Sequence, residues 1–291
     1  MNWIVYHIAS GHAFFSGVAL ILVAAIASVR STPNAERLKI VFCLIGAIAI
    51  AISSTAIPYW CYAIATVITI FWLYYATREN WRRWTRISVI IVWAIVAAME
   101  LPYHIPPTLV PASARSMTII GDSITSGLGP TDNSVRWPTQ VATAHRLSIQ
   151  DISHPGESTA SALRRAKSKQ IVSAVVILEI GGNDLFGKST SAEFARDLDG
   201  LLAYVSAPGR QVVMFELPLP PFYNEFGRIQ RSLARKHGVS LVPKWVFLSV
   251  LAPKDSTVDT IHLTQAGHDR MAATVWNIVR SAFPSIAPAG S

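Results

Sequence analysis

Four short segments carry side chains that together can perform acyl transfer. Gly121-Asp122-Ser123-Ile124-Thr125 supplies a hydroxyl, and Asp259-Thr260-Ile261-His262 supplies an imidazole and a carboxylate three residues apart. Pro155-Gly156-Glu157-Ser158 and Gly181-Gly182-Asn183-Asp184 supply donors. A serine hydroxyl is a weak nucleophile until a base takes its proton, and imidazole is poised near neutral pH to do so. The base needs a carboxylate to hold its tautomer, which Asp259 can be for His262. The tetrahedral intermediate needs N–H groups aimed at its oxyanion. The backbone N–H groups of Ser123 and Gly156 and the side-chain amide of Asn183 are the candidates. Each segment alone also has a structural reading: a helix cap for Ser123, a turn after a strand for Asn183-Asp184. Their joint order is what carries the chemistry.

The elements that must position these segments are alternating strands and helices. Apolar or β-branched runs at Met117–Gly121, Leu147–Ser153, Ser173–Ile180, Gln211–Leu217 and Val239–Val242 predict five strands. Helical patterns fall between them at about 138–146, 159–169, 191–206 and 222–237. A last amphipathic helix runs from a Thr264 cap to about 281. This alternation predicts a mostly parallel sheet covered on both faces. Ligands of such sheets bind beyond the carboxyl ends of the strands, where three of the four segments fall. Leu128, Trp137, Phe186 and the Pro218–Tyr223 segment are expected at the rim. Asp184 is expected to brace the loop around Ser123. His268 is expected on a helix surface, and His145, His154 and His237 in loops or at helix ends.

The chain before this region is of another kind. Of 291 residues, 51% are hydrophobic and 14% charged, against about 25% charged in ordinary soluble domains. Mean hydropathy is +0.38. The deficit lies in residues 1–100, which hold seven Lys/Arg and three acids. Four apolar runs, about 3–29, 40–57, 59–76 and 84–101 (its uncharged part 87–101), predict four transmembrane helices. The start lacks a positive n-region, so the first run reads as a retained helix rather than a cleaved signal. A Pro-rich linker, 102–114, separates this region from a domain at 115–291. Arg30, Arg37 and Lys39 lie between runs one and two, and Arg78, Arg82, Arg83 and Arg86 between runs three and four. Positive loops stay cytoplasmic, so the N-terminus and the C-terminal domain are both expected outside. The fourth run is the shortest, and a cytoplasmic domain would follow if it did not cross. Trp3, Tyr59, Trp60, Trp81, Trp84 and Tyr103 sit near run ends, as interfacial aromatics do. His7 and His12 lie near the outer end of the first run.

In these motifs the sequence resembles the SGNH hydrolases, also called GDSL esterases/lipases. It is most similar to the branch of bacterial arylesterases and the thioesterase I/lysophospholipase L1 enzymes. The resemblance spans about residues 115–282. Ser123 matches the nucleophile, Gly156 and Asn183 the oxyanion-hole residues, and Asp259 and His262 the fifth-block Asp-x-x-His. It implies a flavodoxin-like three-layer α/β/α fold and ester hydrolysis without metal or cofactor. One departure is Pro-Gly-Glu-Ser at 155–158, where the family usually has Ser-Gly-Asp-Thr.

Other chemistries are disfavoured. No Gly-x-Ser-x-Gly elbow, P-loop or dinucleotide glycine pattern occurs. His262 and His268 are six apart, poorly placed for two zinc ligands on one helix face. The two cysteines, Cys43 and Cys61, fall in the apolar runs and exclude a disulfide-rich scaffold. The net charge of +8 is spread over loops, so no nucleic-acid partner is expected. The basic run Arg164, Arg165, Lys167 and Lys169 reads as a solvated helix face. The expected protein is an esterase anchored in the bacterial inner or plasma membrane. Its domain is extracytoplasmic and acts on lipid or acylated-glycan esters, with the ester substrate and the lipid bilayer as partners. An acyltransferase using the same serine and a non-catalytic membrane scaffold are the alternatives.

Overall fold

The computed structural model describes residues 1–28, 33–75, 78–128, 133–187 and 189–284. Arg30, in the first basic loop, lies outside them. The chain forms two compact units. One comprises Trp3–His104 with Pro218–Arg228, the other Met1–Asn2, Ile105–Leu217 and Ile229–Ser291.

The helical unit contains α1 (Trp3–Ala9), α2 (His12–Ala27), α3 (Pro33–Ile52), α4 (Tyr59–Tyr75) and α5 (Glu79–Glu100). The first apolar run is therefore not one helix. It breaks at Ser10–Gly11 and bends by 86°, because Gly11 takes a left-handed conformation, φ +83°, that ends helix propagation. The rings of His7, His12 and His104 gather at this break, where His104 Nε2 lies 3.5 Å from the buried Glu100 carboxylate. Of the four expected spans, one helix among the described residues meets the length and apolarity of a span, and it contains the fourth run. Asn80–His104 is a 25-residue helical stretch long and apolar enough to cross a membrane. The bent α1–α2 pair would be a second span if counted as one, and α4 is apolar but shorter. Cys43 and Cys61 are free thiols packed inside the bundle.

Close packing within this unit rests on two glycines. A Cβ on Gly17 of α2 would lie 2.5 Å from the Gly46 carbonyl of α3, and one on Gly46 would lie 2.7 Å from the Gly17 carbonyl. The backbones meet where neither side carries a side chain, the small-residue packing that helices use in lipid. The Pro218–Tyr223 segment, expected at an enzyme rim, lies in the stretch Pro218–Arg228 that belongs to this unit and bonds the α3–α4 turn. Leu219 N–H donates to Ser54 Oγ at 3.0 Å, and Asn224 Nδ2 to the Ser53 carbonyl at 3.2 Å.

The other unit is a five-stranded parallel sheet. In chain order come β1 (Ser116–Gly121), α6 (Ser123–Ser126), α7 (Trp137–His145), β2 (Ser148–Asp151), α8 (Thr159–Lys167), β3 (Val175–Glu179), α9 (Gly182–Phe186) and α10 (Ser191–Val205). These are followed by β4 (Gln211–Phe215), α11 (Asn224–His237), β5 (Ser240–Val242), α12 (Lys244–Leu251) and α13 (Gln265–Val279). The strand order is β2-β1-β3-β4-β5, the flavodoxin-like order with its switch point between β1 and β3. β3 is buried along its whole length, as its β-branched run requires. Trp137, Phe247, Met271 and Val275 of α7, α12 and α13 share one core with Met117, Ile119 and Ile177 of the sheet. α8 and α10 pack together elsewhere on the unit. Thr264 caps α13 by accepting from the Gly267 N–H.

Residues 105–114 do not hang free. Leu109 is buried in the core, Val110 exchanges two hydrogen bonds with the Gln211 side chain, and Ala112 N–H donates to the Ala282 carbonyl. α12 and the short helices α6 and α9 were not legible in the sequence. At the end of β4, buried Glu216 meets Arg231 at 2.6 Å and Lys244 at 3.7 Å, which pins α11 and α12 to the sheet.

Substituting Gly46→Leu must separate α2 and α3. A loss of about 2 kcal/mol or more is expected, read as a lowered unfolding temperature of the purified full-length protein. An unchanged temperature would show that the contact is not restrictive.

Candidate active site

The residues nominated from the sequence come together at the carboxyl edge of the sheet. Ser123 opens α6 directly after β1. Asp122 caps this turn, its Oδ1 accepting from the Ile124 N–H at 2.9 Å. The turn is tight because Thr125 packs directly over Gly121, where a Cβ would collide with it. With the imidazole proton on Nδ1, His262 donates to Asp259 Oδ2 at 2.6 Å and Nε2 accepts from Ser123 Oγ at 3.0 Å. Asp259 Oδ1 accepts from the backbone N–H groups of Ile261 and His262 at 3.2 and 2.9 Å. The bonds from the His262 N–H and ring, in that order, draw the Asp259 carboxyl down to about 2. It therefore stays an anion across the working range. Between them Thr260 holds φ +84°, a conformation that costs a β-branched residue energy and that is tolerated where a site requires it.

The loops after β2 and β3 complete the edge. His154 N–H donates to the Gly121 carbonyl at 3.1 Å, tying the β2 loop to the end of β1. Gly156 has φ +71° with open space where a Cβ would stand, a left-handed turn that glycine adopts without strain. Its neighbour Glu157 is buried and ion-paired to Arg165 at 2.6 Å. Arg165 is thus not merely part of a solvated face. Asn183 Nδ2 donates to Asp122 Oδ2 at 3.1 Å and to the Glu157 carbonyl at 3.0 Å, linking all three loops.

Several expectations are corrected. Asp184 does not brace the Ser123 loop. Its oxygens accept from the Thr159 N–H and Oγ1, both at 2.8 Å, fixing the start of α8. Trp137 is not at the rim but fully buried, because α7 turns it inward onto the sheet. His268 is fully buried rather than on the surface, since α13 presents it on the same side as Met271 and Ala272. Leu128 and Phe186 are exposed, as expected of rim residues. His145 and His237 end α7 and α11, His145 stacked on Trp276 and His237 bonded to Asp199. His154 lies in the β2 loop.

The sequence reading missed Glu179. It ends β3 fully buried and accepts from Thr125 Oγ1 at 2.9 Å. Burial, and then the charge of Asp122, push its carboxyl well above the ordinary carboxylate range. Burial likewise raises Asp122 to about 6. The available signal was an acid closing an otherwise apolar strand, since a charge there must be neutralised or bonded. Among the described residues no cluster of His, Cys, Asp or Glu could hold a metal ion.

The sequence profile of the GDSL-like Lipase/Acylhydrolase family matches residues 119–270. The esterase TesA of Pseudomonas aeruginosa is 27% identical over 179 residues, covering 57% of this chain and 88% of that protein. Thioesterase 1/protease 1/lysophospholipase L1 of Escherichia coli K12 is 28% identical over 160 residues, covering 52% of this chain and 76% of that protein. The crystal structure of TesA superimposes with a TM-score of 0.51 at 24% identity, covering 58% of this chain and 99% of that one. That structural likeness concerns the fold alone.

The raised Asp122 carboxyl has a consequence for stability. An aspartate ordinarily titrates near 3.8, and this one near 6. Between those values the folded state binds the proton more tightly than the unfolded chain. This group's contribution is therefore greatest below the window, falls as pH rises through it, and is constant above. Asp122→Asn should remove that part of the pH dependence, on the order of 2 kcal/mol. The check is the difference in unfolding temperature between acidic and mildly alkaline buffer, in the wild type and the variant. Equal differences in the two proteins would count against it.

Proposed function

The chain belongs to the GDSL-like lipase/acylhydrolase family, and on that premise we propose that it is a membrane-anchored serine esterase with Ser123 as nucleophile, His262 as general base and acid, and Asp259 as the orienting carboxylate. That it is an ester hydrolase of the GDSL/SGNH type follows from the family. The assignment of these three residues rests on one observation, the continuous hydrogen-bond chain from Asp259 through His262 to Ser123.

The chemistry runs in two halves. Ser123 Oγ attacks the ester carbonyl as its proton passes to His262 Nε2, and the Asp259 carboxylate stabilises the imidazolium. The carbonyl oxygen becomes an oxyanion held by the N–H groups of Ser123 and Gly156 and by Asn183 Nδ2. Asn183 contributes by exchanging one of its present bonds, to Asp122 or to Glu157, for the oxyanion. The imidazolium returns its proton to the departing alcohol, leaving an acyl-Ser123 ester. Water, deprotonated by His262, then attacks the same carbonyl and releases the acid and the free serine.

Membrane anchoring is supported by the apolar helices of the first hundred residues and by the exposure of Trp3, Tyr59, Trp60, Trp81 and Trp84, the residues bilayer interfaces favour. In this reading α2, α3, α4 and α5 cross, both basic loops face the cytoplasm, and the catalytic domain lies outside. A lipid or acylated-glycan ester is the substrate class that this placement brings within reach, and exposed Leu128 and Phe186 suit an apolar acyl group.

Ser123→Ala and His262→Ala should abolish turnover of p-nitrophenyl esters. Asp259→Asn, which keeps the shape but loses the charge, should lower kcat/KM by about 10³–10⁴. Unchanged turnover in any of the three removes that residue from the mechanism. Intact spheroplasts treated with a membrane-impermeant fluorophosphonate should show labelling that is absent in Ser123→Ala. Labelling only after permeabilisation would place the domain in the cytoplasm.

A further inference from the structure

The helical unit contains a cavity that the esterase chemistry does not use. α2 packs on both α3 and α5, and α5 packs on α4, so the four long helices run in the order α3-α2-α5-α4. α3 and α4 follow each other in sequence yet form the two ends of this arc. The space between them is a cavity of about 640 Å³, within the range of about 300–1,000 Å³ that small-molecule sites occupy. Ile21 and Trp93 line it from α2 and α5, Cys43 and Ala47 from α3, Ile70 and Leu73 from α4. Along α3 the lining runs from Ile40 to Ala51, about 16 Å at the helical rise. Its polar wall groups are paired: Trp93 Nε1 donates to Thr69 Oγ1 at 2.9 Å, and that hydroxyl donates to the Ala65 carbonyl at 2.7 Å, while exposed Ile40, Leu44 and Ile70 mark its open side.

The two ends of this slot differ. At the end near the α3–α4 turn stand Tyr59, Asn224 and Arg228. Arg228 lies 3.6 Å over the Tyr59 ring. It donates to Glu225 Oε2 through Nε and Nη2 and to the Ile57 carbonyl through Nη1. A guanidinium has five N–H groups, so one on each terminal nitrogen has no acceptor among the described residues. Asn224 spends its amide nitrogen on the Ser53 carbonyl, and its Oδ1 is buried without a partner among the described residues. A buried acceptor left unpaired is costly, and a ligand hydroxyl removes the cost.

We propose that this slot is a binding site for a single-chain lipid, its acyl chain between α3 and α4 and its head at Asn224 and Arg228. The head chemistry is that of a monoacylglycerol: a free hydroxyl donating to Asn224 Oδ1, beside an ester carbonyl accepting from Arg228. Because Glu225 already neutralises Arg228, an uncharged head is the complement. The site belongs to the helical unit and does not depend on Ser123. Its failure would leave the esterase reading untouched, and the converse holds.

The test uses the full-length protein in detergent and 1-monooleoylglycerol carrying a diazirine in its chain. After photolysis, adducts should map to slot residues such as Leu44, Ala47, Ile70 and Leu73, and excess unlabelled 1-monooleoylglycerol should suppress them. Ser123→Ala should give the same map. Ala47→Phe should fill the slot and abolish competable labelling. Asn224→Leu should weaken competition by 1-monooleoylglycerol about tenfold, while leaving competition by the headless hydrocarbon 1-octadecene unchanged. Adducts spread over the outward residues Val23, Ile26, Ile91 and Ile95 without competition in the wild type would overturn the site. Equal weakening toward both competitors in Asn224→Leu would overturn the head assignment.

Discussion

The Asp122 carboxyl is the junction on which the geometry of the enzyme edge depends. One oxygen holds the turn that presents Ser123, through the Ile124 N–H, and the other holds the Asn183 amide. Asn183 in turn grips the Glu157 carbonyl of the β2 loop. Loops from three adjacent strands are thus joined through a single buried acid. Such a group is costly to ionise, which is why Asp122 is raised to about 6 and why buried Glu179 is also raised well above the ordinary carboxylate range. The polar network is rigid because its partners are mutually satisfied within a low-dielectric edge.

This network orients donors, while the base reaches the nucleophile from elsewhere in the chain. His262 and Asp259 sit on the loop before α13, and their bond is local, three residues apart. Their bond to Ser123 spans 139 residues. The sheet order makes that closure possible, since α13 packs on α7 in the same core as the end of β1. A strained Thr260 and a strongly acidic Asp259 indicate that the loop is held for this geometry rather than relaxed.

The helical unit obeys different constraints. With few charges, its packing depends on close backbone approach at Gly17 and Gly46 and on an apolar interior. A segment of the second half of the chain, Pro218–Arg228, belongs to it and bonds the polar α3–α4 turn through Leu219 and Asn224. Apolar content alone predicted spans but not their breaks. The longest apolar run is divided by one left-handed glycine, and the run that looked shortest forms the longest helix, because helix propagation continues through the basic residues at its start.

Local patterns carried most of the enzyme unit. Apolar and β-branched runs located all five strands, capping residues located the last helix, and the order of Ser123, Gly156, Asn183, Asp259 and His262 nominated one site. These signals act over a few residues, so the sequence alone determined them. Glu179, the burial of His268 and Trp137, the partner of Asp184 and the seat of the 218–228 segment depend on which faces of distant elements meet. Only the tertiary structure decided those, because whether a side chain is buried, and with whom, is a property of the packed chain rather than of its neighbours in sequence.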